Sequence, residues 1–125
     1  MNDNLELVAA SPTTMLNGAS VSRSGRVFSS FPRWNDAPTP GVCEAMPDRT
    51  FRPFSGGDWH DWSPGKSPEN SFVSVHATFC DKHDNLWVVD DAAPFHKQYV
   101  PGGPKLVKIN LRIIRLIAFI RLVRM

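Results

Sequence analysis

Three residues of the metal-ligating types stand close together, His76, Cys80 and His83, and two adjacent carboxylates, Asp90 and Asp91, follow them. Imidazole and thiolate are ligands that zinc favours, but four donors must converge on one ion at about 2.0–2.3 Å. The surrounding stretch, FVSVHATFC, alternates apolar and polar residues as a strand does. On a strand His76 and Cys80 share a face yet stand about 13 Å apart along the axis, too far for one coordination shell. The spacing therefore predicts no metal site, with Cys80 a small core residue and His83 part of a turn. Asp90-Asp91 comes directly after the apolar run Leu86-Trp87-Val88-Val89. A carboxylate there either caps the following turn by accepting backbone N–H groups or meets a ligand at the end of its strand. Trp34, Trp59, Trp62 and Trp87 likewise either pack in a core or stack on an aromatic ligand. The candidate ligand-binding residues are Asp90, Asp91 and Trp87. The chain contains no G-x-S-x-G elbow, no phosphate loop and no Cys/His pair in a catalytic setting, so the sequence assigns no catalytic residue and no cofactor.

The elements that would position these groups are short and extended. In ASVSRSGRVFSSFPRW, residues 19 to 34, an alternating segment meets Ser24-Gly25 and then a run containing Val27, Phe28 and Phe31, which predicts a β-hairpin. In FVSVHATFCDKHDNLWVVD, residues 72 to 90, Val73, Val75 and Ala77 alternate, Asp81 to Asn85 form a polar turn, and Leu86 to Val89 form a second strand. Gly25 placed over Asp84 aligns Ser22 with Asp81 and Val27-Phe28 with Leu86-Trp87, an offset of 59 residues. A strand, turn and strand recurring at such a period is how propeller blades read. Residues 35 to 71, with Pro38, Pro40, Pro47, Pro53, Pro64, Pro68 and Gly56-Gly57, read as loop, and so do residues 92 to 104. A further strand is predicted where Val107, Ile109, Leu111 and Ile113 alternate with polar residues.

Composition sets outer limits. The chain has 125 residues and a net charge of +2, but residues 109 to 125 hold four Arg, no acid and all five Ile, which leaves the rest slightly acidic. That tail, from Ile113-Ile114 onward, fits neither the strand nor the helix period and reads as a strand running into a helix or disorder. No uncharged apolar run reaches 18 residues, so no membrane span is predicted. The tail's arginines lack the order expected of a nucleic-acid surface, and no nucleic-acid partner is predicted. Two cysteines are too few for a disulfide scaffold, and the opening MNDNLELVAASPTTM does not read as a secretory signal.

Three phrases, GRVFSSFPRW at 25 to 34, FVSVHATFCDKHDNLWVVD at 72 to 90 and GGPKLVKINL at 102 to 111, resemble in order and spacing the first part of the yellow and major royal jelly protein family. The resemblance covers residues 18 to 111. It implies an all-β chain carrying about the first one to two blades of a six-bladed β-propeller, with residues 1 to 17 as a lead-in and residues 112 to 125 as a tail unlike the family. A truncated or frame-shifted product would explain that tail, and the alternative is a true short protein that assembles with copies of itself. The resemblance further implies a small aromatic or amine ligand bound at the propeller channel. The alternatives are a dopachrome-converting isomerase or a lactonase-like enzyme, inactive in an incomplete ring. Members are typically extracellular, which leaves localisation open here. An incomplete ring exposes blade edges and faces, so Phe28, Phe31, Trp34, Leu86 and Trp87 are expected to lack part of their packing, and self-association through open blade edges is expected with it.

Overall fold

The computed structural model describes residues 4–36, 39–54, 57–113 and, as backbone alone, 115–121. Pro38 and Gly56 of the segment read as loop, and Ile114 and residues 122–125 of the tail, lie outside the described residues. The chain is all-β. It forms two four-stranded antiparallel sheets, each a meander in chain order. The first holds β1 (Asn17–Val21), β2 (Val27–Phe31), β3 (Gly41–Ala45) and β4 (Phe51–Pro53), and the second β5 (Val75–Cys80), β6 (Asn85–Asp90), β7 (Lys105–Asn110) and β8 (Arg115–Arg121). Two short 3-10 turns, Gly57–His60 and Pro94–His96, are the only helical elements among the described residues, and neither sheet closes on itself.

The two predicted hairpins are present, and their turns are built alike. Ser22 N–H donates to Arg26 O at 2.8 Å, and Asp81 N–H donates to Asn85 O at 2.9 Å. Ser22 Oγ accepts from Arg26 N–H, and Asp81 Oδ1 accepts from Asn85 N–H, both at 3.0 Å. Gly25 and Asp84 occupy the left-handed position of the same turn, at φ +87° and +59°. The 59-residue offset is thus a physical repeat from turn to strand: Ser20 pairs with Phe28 as Phe79 pairs with Trp87. Each first strand also carries a one-residue bulge, between Asn17 and Ala19 and between Val75 and Ala77. The bulge at His76 breaks the alternation that the sequence suggests through Val73.

Two expectations are corrected. The stretch 35 to 71 contains strands β3 and β4. β3 is held against β2 through Phe28–Glu44, Ser29–Cys43, Ser30–Val42 and Phe31–Gly41, and its burial comes from that distant partner. The tail forms a strand over Arg115–Arg121, paired with β7 from Lys105–Arg121 to Asn110–Arg115; a β-partner satisfies its backbone where no helical period exists.

The sheets pack face to face. Pairing puts Ser20, Phe28, Ser30, Val42 and Glu44 on one face of the first sheet, and Thr78, Cys80, Leu86, Val88, Val107 and Ile109 on one face of the second. These two faces meet in a single apolar core with Phe54, Phe72, Val75 and Leu111. Ser20 Oγ lies 2.9 Å from Thr78 Oγ1, and Arg26 Nη1 donates to Leu111 O across the junction. The other face of the first sheet, with Phe31 and Cys43, is buried beneath an N-terminal strap, residues 4–16, whose Ala10 N–H donates to Arg49 O. Phe28, Phe31 and Leu86 are consequently at most 2% exposed, contrary to the expectation that they lack partners. Trp34 and Trp87 remain partly exposed.

The repeat also defines the symmetry of this interface. Ser20, Phe28 and Ser30, which face the second sheet, correspond to Phe79, Trp87 and Val89, which face away from the first. The contact is head to tail: opposite faces of two equivalent sheets meet.

Candidate functional site

The candidate site lies at the end of the molecule where β2 and β6 finish and β5 begins. Asp90 closes β6 with its side chain wholly buried. Its Oδ2 accepts from Val73 N–H at 2.8 Å and from Lys105 Nζ at 2.9 Å, and its Oδ1 from Ser74 N–H and Ala92 N–H at 2.9 Å each. Lys105, equally buried, also donates to Gly103 O at 2.6 Å. A carboxylate with three backbone donors and a buried cation has its charge satisfied internally. Asp90 thus holds the turn after β6 against the approach to β5 and the start of β7.

Arg33 braces the same end from the first sheet. Its Nε donates to Val73 O and its Nη2 to Trp62 O, while the guanidinium lies 5.1 Å from the centre of the Trp62 ring. Burial pulls its pKa down and nearby Asp90 opposes that shift. Its carbonyl accepts from Phe95 N–H at 2.7 Å. This bond pins a turn in which Ala92, Phe95 and His96 all adopt positive φ, at 51°, 62° and 56°. Such conformations cost non-glycine residues about 1–3 kcal/mol each and persist only where surrounding structure imposes them.

The strained turn delivers His96 to Trp34. The two rings stack with centroids 4.9 Å apart and planes 22° apart, and His76 meets the same indole edge-on at 6.2 Å. His76 Nδ1 lies 3.3 Å from Asp91 Oδ2, and Asp91 Oδ1 caps Ala93 N–H at 3.0 Å. One aromatic plate, two imidazoles and one half-exposed carboxylate are thereby gathered. Trp34 also lines an open groove of about 440 Å³ bounded by strap residues Ser11 to Leu16. The His76 backbone is fixed from the other sheet, its carbonyl accepting from Asn17 Nδ2 at 2.9 Å and from Ser30 Oγ at 3.2 Å.

Of the three residues singled out from sequence, only Asp91 belongs to this cluster. Asp90 lies behind it as an internal tie. Trp87 stands at the opposite end of β6, where its Nε1 donates to Asp81 Oδ2 at 2.9 Å and Lys108 Nζ sits 5.3 Å from the ring centre. Burial works against the charge of Asp81, yet donors from Trp87, Asn85 and His83 hold its pKa well below the usual carboxylate range. Trp34 is among the aromatic candidates of the sequence, but His76 stands out there only as a metal ligand and His96 not at all. Their convergence depends on the positive-φ turn, which non-glycine residues do not announce. His76, Cys80 and His83 diverge: Cys80 Sγ donates to Ser20 Oγ at 3.5 Å, whereas His83 lies in the hairpin turn. Among the described residues no three His, Cys, Asp or Glu side chains are grouped to hold a metal. Burial pushes the Cys43 thiol up to about 12 and the Cys80 thiol upward as well, so both are poor nucleophiles near neutrality. No helix among the described residues is long and apolar enough to cross a membrane.

No family model matches the chain, and no curated protein matches it.

Proposed function

We propose that the chain supplies two consecutive blades of a yellow/royal-jelly-like six-bladed propeller, and that their Trp34 end forms part of a site for a small aromatic amine. The observation that carries this reading is the Trp34–His96–His76–Asp91 cluster. A flat indole connected through His76 to a half-exposed carboxylate matches a ligand with a ring at one end and an ammonium at the other. The three family-like phrases and the head-to-tail packing of two equivalent sheets support the propeller part. So does the position of β1 beside β5, since first strands of neighbouring blades line the inside of a ring. Ligand stacking on Trp34 is expected to add about 1 kcal/mol beyond area burial, with the ammonium facing Asp91 at a charge-assisted bond.

Calorimetric titration with tyramine tests the reading. Saturable binding is expected, weakened at least tenfold by either Trp34→Ala or Asp91→Asn while circular dichroism stays unchanged. Saturable binding of equal strength in both variants, or none in the parent chain, would refute it. An isomerase reading has one observation in its favour, the His76–Asp91 pair, in which a carboxylate orients an imidazole able to take up and return a proton. Dopachrome turnover abolished by His76→Gln would favour that reading over simple binding.

A further inference from the structure

The open face of the second sheet is a feature that the ligand reading leaves unused. β5, β6 and β7 present Phe79, Trp87, Val89, Leu106 and Lys108 on it, paired as Phe79–Trp87, Trp87–Lys108 and Val89–Leu106. Phe79 is 63% exposed and Val89 37%. Contiguous apolar side chains on a sheet face mark an interaction surface rather than ordinary scatter. By the 59-residue repeat, this face corresponds to the face of the first sheet that packs on the second, so the chain itself displays what such a face binds: the opposite face of an equivalent sheet.

That opposite face, on the first sheet, lies under the strap. The strap carries exposed apolar residues of its own, Leu5, Leu7 and Val8, and Val21 of β1, on the same face of the first sheet, is also exposed. We infer that the open face of the second sheet docks the strap-covered face of a second copy of this chain. The surface is a face, distinct from the strand edges expected from the sequence, and the inference stands apart from the ligand site. A head-to-tail contact leaves one of each face free after every addition, so it continues into rings or filaments and does not stop at a dimer.

Sedimentation velocity on the full chain and two variants tests this. Phe79→Arg spoils the open face and Leu7→Arg spoils the strap; both sites are more than half exposed, and near-UV circular dichroism checks that folding is intact. The parent chain is expected to form species larger than dimers as concentration rises. Each variant alone is expected to be monomeric. Their equimolar mixture is expected to form a one-to-one heterodimer and nothing larger, because each variant retains the face the other has lost. A monomeric parent chain would overturn the inference, as would self-association by either variant alone or a mixture that stays monomeric. Association lost with Phe79→Arg but kept with Leu7→Arg would mean that the open face pairs with itself.

Discussion

The two sheets share strand order, turn geometry and hairpin register, and differ in how they handle charge. Where the second sheet has Asp81 at its turn and Asp90 at the end of β6, the first has Ser22 and Phe31 at the corresponding positions. Phe31 fills its place by packing edge-on against Phe51, with ring centres 5.4 Å apart. Asp90 fills the equivalent place with three backbone hydrogen bonds and a buried cation. One backbone plan thus accepts an apolar contact or a saturated ionic knot at the same point. The ionic version gives direction: it ties three chain segments together, and the strained 92–96 turn that carries His96 begins at one of its donors, Ala92. The first sheet instead ends in Trp34, and its ion pair, the bidentate Arg26–Glu44 contact, lies at the opposite end beside the Ser22–Arg26 turn.

The comparison breaks most severely at Asp90. Asp90→Ala leaves Lys105 Nζ buried without its carboxylate and strips three backbone N–H groups of their acceptor. Removing one partner of a buried ion pair costs about 3–5 kcal/mol, a large part of the roughly 5–15 kcal/mol typical of a whole domain. Chemical denaturation should show that loss. Asp90→Ala combined with Lys105→Met should recover part of it. Equal stabilities of the single and double variants would mean that the backbone donors, and not the lysine, set the cost.

How much of this the sequence displays depends on how local each interaction is. The β1–β2 and β5–β6 hairpins are legible because alternation and turn chemistry, Ser24-Gly25 and Asp81 to Asn85, lie within a few residues of one another. The capping role of Asp90 is legible as one of two alternatives. Its partner Lys105, fifteen residues on across a Pro- and Gly-rich segment, is not. β3 has a short, non-alternating apolar signal between prolines, Val42, Cys43 and Ala45, and its strand character comes from β2. Gly41 shows the same dependence: at φ +82° a Cβ there would come within 2.8 Å of Phe72 Cβ, a constraint set far along the chain. The Ile/Arg tail has no period of its own and becomes a strand through β7. The Trp34 cluster is half visible, as aromatic and histidine residues without a geometry to join them.

A smaller effect separates the two turns. Asp81 accepts from His83 and Asn85 N–H groups, the Asn85 amide and the Trp87 indole, whereas Ser22 accepts from Arg26 N–H and meets Ser24. Asp81→Asn should therefore cost about 1–2 kcal/mol, and Ser22→Ala less. The sign of the pH dependence follows from the lowered pKa of Asp81. The folded state holds its carboxylate ionised below the unfolded value of about 3.9, so the aspartate's advantage is complete above that pH. It shrinks as pH falls further toward the folded value. Urea titrations at about pH 6 and about pH 3, on either side of that unfolded value, should show the gap between parent and Asp81→Asn narrowing at the lower pH. A gap that widens there would reverse the assignment.

The smallest predicted effect concerns the left-handed residue the two turns share. Gly25 adopts φ +87° without penalty, and a Cβ added there would meet nothing within 4 Å, so Gly25→Ala should destabilise by backbone strain alone, about 1 kcal/mol. Asp84 holds the same conformation with a side chain, and its Oδ1 is buried without a hydrogen-bond partner. Its Oδ2 reaches Arg112 Nε only at 3.4 Å, where the arginine is largely exposed, and such a pair contributes little. Asp84→Gly should therefore stabilise the chain by up to about 1 kcal/mol. Opposite signs for these two substitutions in thermal unfolding would show that the 59-residue repeat extends to the energetics of the turn. A destabilised Asp84→Gly would show instead that the Arg112 contact outweighs the strain.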